Sequence, residues 1–272
     1  MALAFDEFER LPPPLKWAGG KRWLVPHLRE LWAGNENRRL VEPFVGGLAV
    51  TLGLSPKSAL LNDLNPHLIS FYRWLKRGLD VSSIGDERIA NNRAVYAQKR
   101  NRFNELIASG KSDSEEAAVL FYYLNRTGFN GLCRFNASGF FNVPFGRYHK
   151  IQYYRPYFPG YVRELRAHTF ISGDFESMRL RKSDFIYADP PYDVEFTSYS
   201  AGGFSWHDQE RLAEWLAKHP GPVVASNQAT DRILKLYRKH GFKYRTLDAP
   251  RRISCDGNRD DAKEMLAVKG LP

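Results

Sequence analysis

The chain has 272 residues, 40 of them Lys or Arg and 30 Asp or Glu, for a formal net charge of +10; 43% are hydrophobic and 14% aromatic. That apolar share is too large for a disordered chain and fits one large domain, or one domain carrying a smaller insertion. Two cysteines, Cys133 and Cys255, exclude a disulfide scaffold and a cysteine-built metal site and fit a reducing cytoplasm.

The stretch from Met1 to Leu15 is acidic, then proline-rich, without the apolar core of a signal peptide, and no apolar run approaches the roughly 20 residues of a membrane helix. After Gly19-Gly20, Leu24, Leu28, Leu31 and Trp32 recur at helical spacing. A strand over Leu40 to Val45 runs into Gly46-Gly47. The next apolar run, Ala59 to Leu61, ends at Asn62-Asp63, and Asn65-Pro66 reads as a helix cap followed by proline in the first turn. From about Pro66 to Tyr153 the texture changes. Polar helical stretches over Arg88 to Ala108 and Glu115 to Leu124 lead into a loop-rich region with Gly128, Gly131, Gly139 and Gly146. No strand–helix alternation is visible there, which predicts a mostly helical insertion. Alternation resumes with Thr169 to Ser172, Asp184 to Ala188 and Pro222 to Ser226, expected as buried strands. Ser205 to Asp208 has the capping-box spacing ahead of helical Leu212, Trp215 and Leu216, and Lys243 to Arg252 with Lys263 to Lys269 reads as a final β-hairpin. The predicted fold class is α/β, a largely parallel sheet of about seven strands over residues 1–65 and 154–272, with an insertion over 66–153.

The positive charge is unevenly placed. Between Phe121 and Phe170 stand seven Lys or Arg against one acid, Glu164, together with 15 of the 38 aromatics. Cations interleaved with aromatics suit phosphate contacts and base stacking. An aromatic core beneath a solvated basic face has the same composition, and composition does not choose between the two.

The strongest chemical signal is Asp184-Phe185-Ile186-Tyr187-Ala188-Asp189-Pro190-Pro191-Tyr192. A β-run delivers Asp189 to its carboxyl end, where open α/β sheets bind ligands. Pro190 and Pro191 have fixed φ and no N–H, so the turn is stiff and presents carbonyl oxygens with few competing donors. A carboxylate beside such a carbonyl offers two acceptors in fixed relation, which suits an NH₂ group with two hydrogens to donate. Tyr192 offers a flat face for the ring carrying that amine. Two acceptors pulling on the hydrogens of a delocalised amine localise its lone pair and stabilise positive charge growing on nitrogen. The plain reading is a strand-ending turn with a surface Asp. A second signal is Val41-Glu42-Pro43-Phe44-Val45-Gly46-Gly47, where glycines let a backbone approach a ligand, with Asp63 at the end of the next strand able to hold a ribose hydroxyl pair. It favours a nucleoside-containing cofactor over a plain tight turn. A third, Leu15 to Lys21, is a glycine turn bracketed by Lys16 and Lys21 beside Trp17; it reads equally as a basic helix-capping loop or as part of a cofactor and substrate site.

The order KWAGGK, EPFVGG, NDLNP, NRTGFNGLCRFN with FNVPFGRY, then IYADPPY, spread from Leu15 to about Met265, resembles the Dam-type DNA adenine methyltransferases (D12 class, alpha group). The resemblance implies a Rossmann-like methyltransferase sheet with an inserted target-recognition domain, S-adenosyl-L-methionine as cofactor with S-adenosyl-L-homocysteine as product, no metal, and double-stranded DNA as partner. It implies catalytic roles for Asp189, Pro190, Pro191 and Tyr192, and a cofactor site built from Trp17, Lys21, Glu42, Phe44, Gly46, Asp63 and Asp189. Phe129 and Asn130 match residues that wedge into the duplex after a base is flipped out, and Arg134 matches a guanine-reading arginine. Leu132, Pro144 and Tyr148 match further base contacts, Lys16 another DNA contact. Arg126, Arg251 and Arg252 stand where basic residues meet DNA. Together the matches imply GATC as the site, methylated on adenine.

Two departures stand out: Gly46-Gly47-Leu48, where the family often has another glycine, and Tyr148-His149-Lys150-Ile151-Gln152, which leaves the common basic continuation. His67, His207, His219 and His240 lack metal spacing and read as surface or cap residues. Cys133 falls in the recognition loop, but methyl transfer to nitrogen needs no thiolate. Competing readings are a DNA-binding protein with a decayed catalytic site, which should have lost Asp189, Asp63 or Lys21; an RNA or protein-amide methyltransferase, which should lack the recognition loop; and an adenine methyltransferase with another recognition site. A zinc base deaminase is excluded for want of its two-cysteine motif. The expected setting is cytoplasmic and nucleoid-associated, bacterial or phage-encoded, as a monomer or weak dimer with no obligatory protein partner.

Overall fold

A computed structural model describes residues 11–85, 91–193, 203–249 and 262–271. Among them, seven strands form one sheet: β1 (Leu40–Glu42), β2 (Ala59–Asp63), β3 (Thr169–Ser172), β4 (Phe185–Ala188), β5 (Val223–Gln228), β6 (Lys243–Ala249) and β7 (Ala262–Lys269), in the order β3-β2-β1-β4-β5-β7-β6. β1 runs parallel to β2 and β4, and β4 parallel to β5; β7 is antiparallel to β5 and to β6, the predicted terminal hairpin. The α/β sheet of about seven strands in the sequence reading is present, and it is mixed, its parallel centre extended by the antiparallel β7 and β6.

The central strands are continuous apolar runs because both of their faces are covered; every residue of β1 and β4 is buried. β3 differs from expectation. At the sheet edge only Phe170 is buried, with Thr169 and Ser172 exposed, since an edge strand has fewer neighbours to cover it. β1 also stops at Glu42 instead of continuing to Val45. Pro43 has no N–H for the ladder, and its carbonyl instead accepts from Asn62 Nδ2 at 2.9 Å.

The chain divides into two compact units. One comprises Lys21–Val45, Pro56–Leu64 and Ile171–Pro272. It holds α1 (Val25–Trp32), α7 (Trp206–Ala217) and α8 (Asp231–Lys239). Val41, Ile186, Ala188, Val223, Ala225 and Met265 of the sheet pack with Leu212 and Leu216 of α7 and Ile233 and Tyr237 of α8. The capping box read at Ser205 is formed: Ser205 Oγ accepts from the Asp208 N–H at 3.2 Å and Asp208 Oδ2 from the Ser205 N–H at 2.8 Å.

The other comprises Met1–Gly20, Gly46–Ser55 and Asn65–Phe170. It holds α2 (Ala49–Leu54), α3 (Pro66–Arg77), α4 (Arg93–Ala108), α5 (Glu115–Thr127) and α6 (Phe158–Leu165). Asn65 caps α3 as predicted, accepting from the N–H groups of His67 and Leu68. α4 starts at Arg93 behind the Asn92 cap; Arg88 lies outside the described residues. α5 is buried from Ala117 to Thr127, a helix apolar nearly all round and therefore central.

No described helix is long and apolar enough to cross a membrane. His219 is a correction: it is 6% exposed, its Nε2 3.0 Å from the Asp184 carbonyl.

Candidate functional site

In the sheet-bearing unit, β2, β1 and β4 lie side by side and parallel, so Asp63, Glu42 and Asp189 emerge at one edge, the carboxyl ends of the strands. Asn62 ties this edge together, its amide donating to Pro43 O and Gly173 O, each at 2.9 Å. The Asp63 carbonyl accepts from the Gly173 N–H and the Ser172 hydroxyl. Glu42 is 2% exposed, Asp63 half-buried. The Phe44 ring packs edge-on against Phe204, with centroids 5.5 Å apart.

Around Asp189 the side chains form a charged cluster. Asp189 Oδ1 meets Lys21 Nζ at 2.8 Å and accepts from Ser226 Oγ at 3.0 Å; Ser226 Oγ in turn lies 2.8 Å from the Tyr187 hydroxyl. Lys21 Nζ also donates to the Tyr192 hydroxyl at 3.1 Å, and that hydroxyl donates to Glu264 Oε2 at 2.5 Å. Glu264 Oε1 is 3.6 Å from Lys21 Nζ. Lys21 is 4% exposed, Glu264 1% and Asp189 20%.

Burial by itself lowers the pKa of Lys21, but the carboxylates of Asp189 and Glu264 outweigh it, so the ammonium stays charged well beyond the neutral range. Burial pushes the Glu264 carboxyl up; Lys21 opposes this, Asp189 adds to it, and the result is about 7. Burial likewise raises the Tyr192 phenol. The shorter contact makes Asp189 the principal ion partner of Lys21, with Glu264 the group whose charge is in balance near neutrality.

In the helical unit, Gly46 (φ 45°) and Gly47 pack under Trp17: a Cβ on Gly46 would stand 2.7 Å from the indole Nε1, and one on Gly47 2.8 Å from the Trp17 Cβ. Any side chain at these two positions would therefore meet the tryptophan. At the departure from the glycine pattern, Leu48 adopts φ 67° with its side chain fully buried.

Lys16 Nζ donates to the Arg126 carbonyl at 3.0 Å and lies 3.3 Å from the Tyr148 ring centroid. Its backbone pairs with the Asn125 side chain, and Gly131 packs on its Cβ. Burial, then the Arg126 charge, lowers Lys16 to about 8. Phe129 N donates to Pro144 O, and Tyr148 donates to Gly128 O. Thus Lys16, Phe129, Pro144 and Tyr148 belong to one cluster. Phe129 is 47% exposed and Asn130 is exposed with φ 51°. Arg134 is gripped by Asn142, Nε to Oδ1 at 2.8 Å and Nη2 to the carbonyl at 3.2 Å. Leu132 is half-buried, and Arg126 is 4% exposed with its guanidinium over the Tyr154 ring.

The aromatics of the basic segment divide: Phe121, Tyr122, Tyr123, Phe141, Tyr153, Phe158, Tyr161 and Phe170 are core, while Phe129 stands out of it. Arg251, Arg252 and Cys255 lie outside the described residues. Ser226 and Glu264 were not found from sequence. A serine at the carboxyl end of a buried strand and a lone acid inside an apolar one are the signals that mark them. Among the described residues, no group of three or more His, Cys, Asp or Glu is arranged to hold a metal ion.

Residues 17–253 match the family model of the D12 class N6 adenine-specific DNA methyltransferases. A DNA adenine methylase of Vibrio cholerae is 40% identical over 93% of this chain and 94% of its own length. The retron Ec67 DNA adenine methylase of Escherichia coli is 37% identical over 94% and 90%. A DNA N-6-adenine-methyltransferase of Escherichia phage P1 is 35% identical over 96% of this chain and 36% of its own length. The chain belongs to the D12 class of N6 adenine-specific DNA methyltransferases.

Proposed function

We propose that this adenine-specific DNA methyltransferase acts on duplex DNA at GATC, turning the adenine out of the stack and taking its methyl group from S-adenosylmethionine. The observation that supports this most is the state of Asp189: it follows β4 at the carboxyl ends of the strands, and among the described residues its side-chain contacts, from Lys21 and Ser226, fall on Oδ1. Oδ2 and the Pro190 carbonyl are the two acceptors we assign to the amine hydrogens. The donor set at this edge fits the cofactor, because carboxylates on adjacent strands accept hydroxyl hydrogens, and Asp63 and Glu42 would hold its nucleoside part. Phe44, Lys21, Trp17, Gly46 and Asp189 are the other residues we assign to it. When bound, the cofactor supplies an electrophilic methyl group.

The chain's own work is positioning and charge. Asp189 and Pro190 draw on the two N–H bonds and localise the nitrogen lone pair, while the Tyr192 ring stacks on the base. As nitrogen gains its bond to carbon it gives up one hydrogen as a proton, for which Asp189 is the first acceptor. Flipping costs a few kcal/mol, and Phe129 with Asn130 would fill the vacated space. Arg134, aligned by Asn142, would read guanine through its remaining donors. Lys16, Leu132, Pro144 and Tyr148 would meet the other bases, with Arg126 supporting Lys16 and Arg251 and Arg252 on phosphates. The proposed division is residues 66–153 for recognition, with 1–65 and 154–272 for catalysis. A cytoplasmic setting, bacterial or phage-encoded, belongs to the same proposal.

The test is transfer from tritium-labelled S-adenosylmethionine to plasmid DNA, with nucleoside analysis and digestion by nucleases that differ in tolerance of methylated GATC. The expected product is labelled methyladenine within GATC. Label on another nucleoside, or none, overturns the reading; label on adenine elsewhere overturns GATC alone.

A further inference from the structure

The Asp189–Tyr192 turn is held by a second set of residues, away from its charged cluster. Gln209, in the first turn of α7, is fully buried, and its Nε2 donates to the Pro191 carbonyl at 2.8 Å. Its Oε1 accepts from Asn227 Nδ2 at 3.0 Å, and Asn227, also fully buried, sits at the end of β5. The Asn227 Oδ1 is fixed in turn by the Gln228 N–H at 2.8 Å. Each amide in this chain has its donor and acceptor ends assigned by its neighbours, so the relay has one polarity and one geometry.

Two proline carbonyls follow one another here. A turn whose first carbonyl must face an amine needs the second turned elsewhere and held there, and prolines supply no N–H to do it. We propose that Gln209 and Asn227 are positioning residues for methyl transfer: by fixing the Pro191 carbonyl they hold the Pro191–Tyr192 peptide plane, and through the Pro191 ring, whose φ is locked, they aim the Pro190 carbonyl of the preceding peptide at the target amine. The capping box at Ser205 fixes the helix turn that carries Gln209. Asp193, on the far side of the turn, is paired with Arg232 of α8, which closes the remaining end. The inference rests on the reading of Asp189–Tyr192 as the amine pocket.

The test uses the full chain with Gln209→Leu and Gln209→Glu. Loss of one aligning hydrogen bond at a reacting group, about 1.4 kcal/mol, corresponds to about tenfold in rate. Gln209→Leu should lower kcat about tenfold, while the KM for duplex and the Kd for S-adenosylmethionine stay within about twofold. Gln209→Glu is the sharper probe. Its carboxylate cannot donate to Pro191, but the protonated acid can, while still accepting from Asn227. Relative to the parent at each pH, its kcat should therefore be depressed near pH 8 and recover as the pH falls toward about 6, because burial raises a carboxyl pKa. A merely structural role would lower thermal stability without such recovery. If Gln209→Leu does not fold, the pH ratio of Gln209→Glu decides. Wild-type kcat in both variants, or a loss in Gln209→Glu independent of pH, overturns the proposal. Asp189→Asn separates the two readings: if it still methylates adenine, the pocket assignment itself fails; if it is inactive while the Gln209 variants are unaffected, only the relay fails.

Discussion

Lys21 stands between two carboxylates of different standing, and that difference has consequences for pH. Asp189 is its close partner, whereas Glu264 is more distant, almost fully buried, and raised by burial to about 7. A raised carboxyl pKa favours the neutral acid in the folded state. The resulting stability is fully present below the ordinary carboxyl range and is lost as pH rises through about 7. Glu264→Gln should therefore flatten the fall of the thermal midpoint between about pH 5 and 7, measured by calorimetry; an unchanged slope would assign that fall to other groups. Ionised Glu264 also makes the Lys21, Asp189 and Glu264 set net negative, which favours positive charge growing on an amine held by Asp189. In the parent, kcat should then rise across neutral pH, and this limb should vanish in Glu264→Gln. Arg134 poses a separate question of specificity. With its Nε and one Nη2 hydrogen committed to Asn142, the rest of the guanidinium is pre-aimed. Arg134→Ala should reduce discrimination at the guanine by about 1–3 kcal/mol, read from kcat/KM on matched and mismatched duplexes.

The elements whose pattern depends on near neighbours were legible in the sequence. Asn65-Pro66 and Ser205 to Asp208 carry their capping chemistry within four residues, and α3 and α7 begin where those signals stand. Apolar runs located β4 and β5, because a strand covered on both faces needs no alternation. What failed depended on partners distant in the chain. β3 reads like the central strands, and only its place at the edge leaves it exposed. Glu264 lies 75 residues from Asp189 in sequence, and Gln209 looks like any polar position on an amphipathic helix until its carbonyl partner is known. The Asp189–Tyr192 tetrapeptide was readable, but its supports were not. Ser205→Ala tests the local side of this contrast. Losing the box should cost about 1 kcal/mol, seen as a fall of about 2–4 °C in thermal midpoint. If the cap also steadies Gln209, kcat should fall more than the change in stability accounts for at the assay temperature.

For the molecule as a whole, the net charge of +10 leaves one question that composition could not decide: whether the basic segment is a solvated face or a phosphate-binding one. Eight of its fifteen aromatics are core and only Phe129 is exposed, so its cations carry the argument. Arg147, Lys150, Arg163 and Arg166 are exposed, whereas Arg126 is buried under Tyr154 and Arg134 is committed to Asn142. In the sheet-bearing unit, cations also gather at the amino-terminal end of the strands, where Arg38, Arg39 and Arg181 line a cavity and Arg39 is paired with Asp184. Bound phosphates release counterions, so the logarithm of duplex affinity falls linearly with the logarithm of salt concentration, with a slope of about −0.9 for each phosphate neutralised. Net charge alone predicts the same slope change for any cation removed. Local contact predicts a change only where a phosphate is met. Arg147→Gln and Lys150→Gln should each reduce the slope by about 0.9, while Arg38→Gln leaves it unchanged. Equal effects at all three positions would mean that duplex affinity reads the overall field of the protein rather than a recognition face.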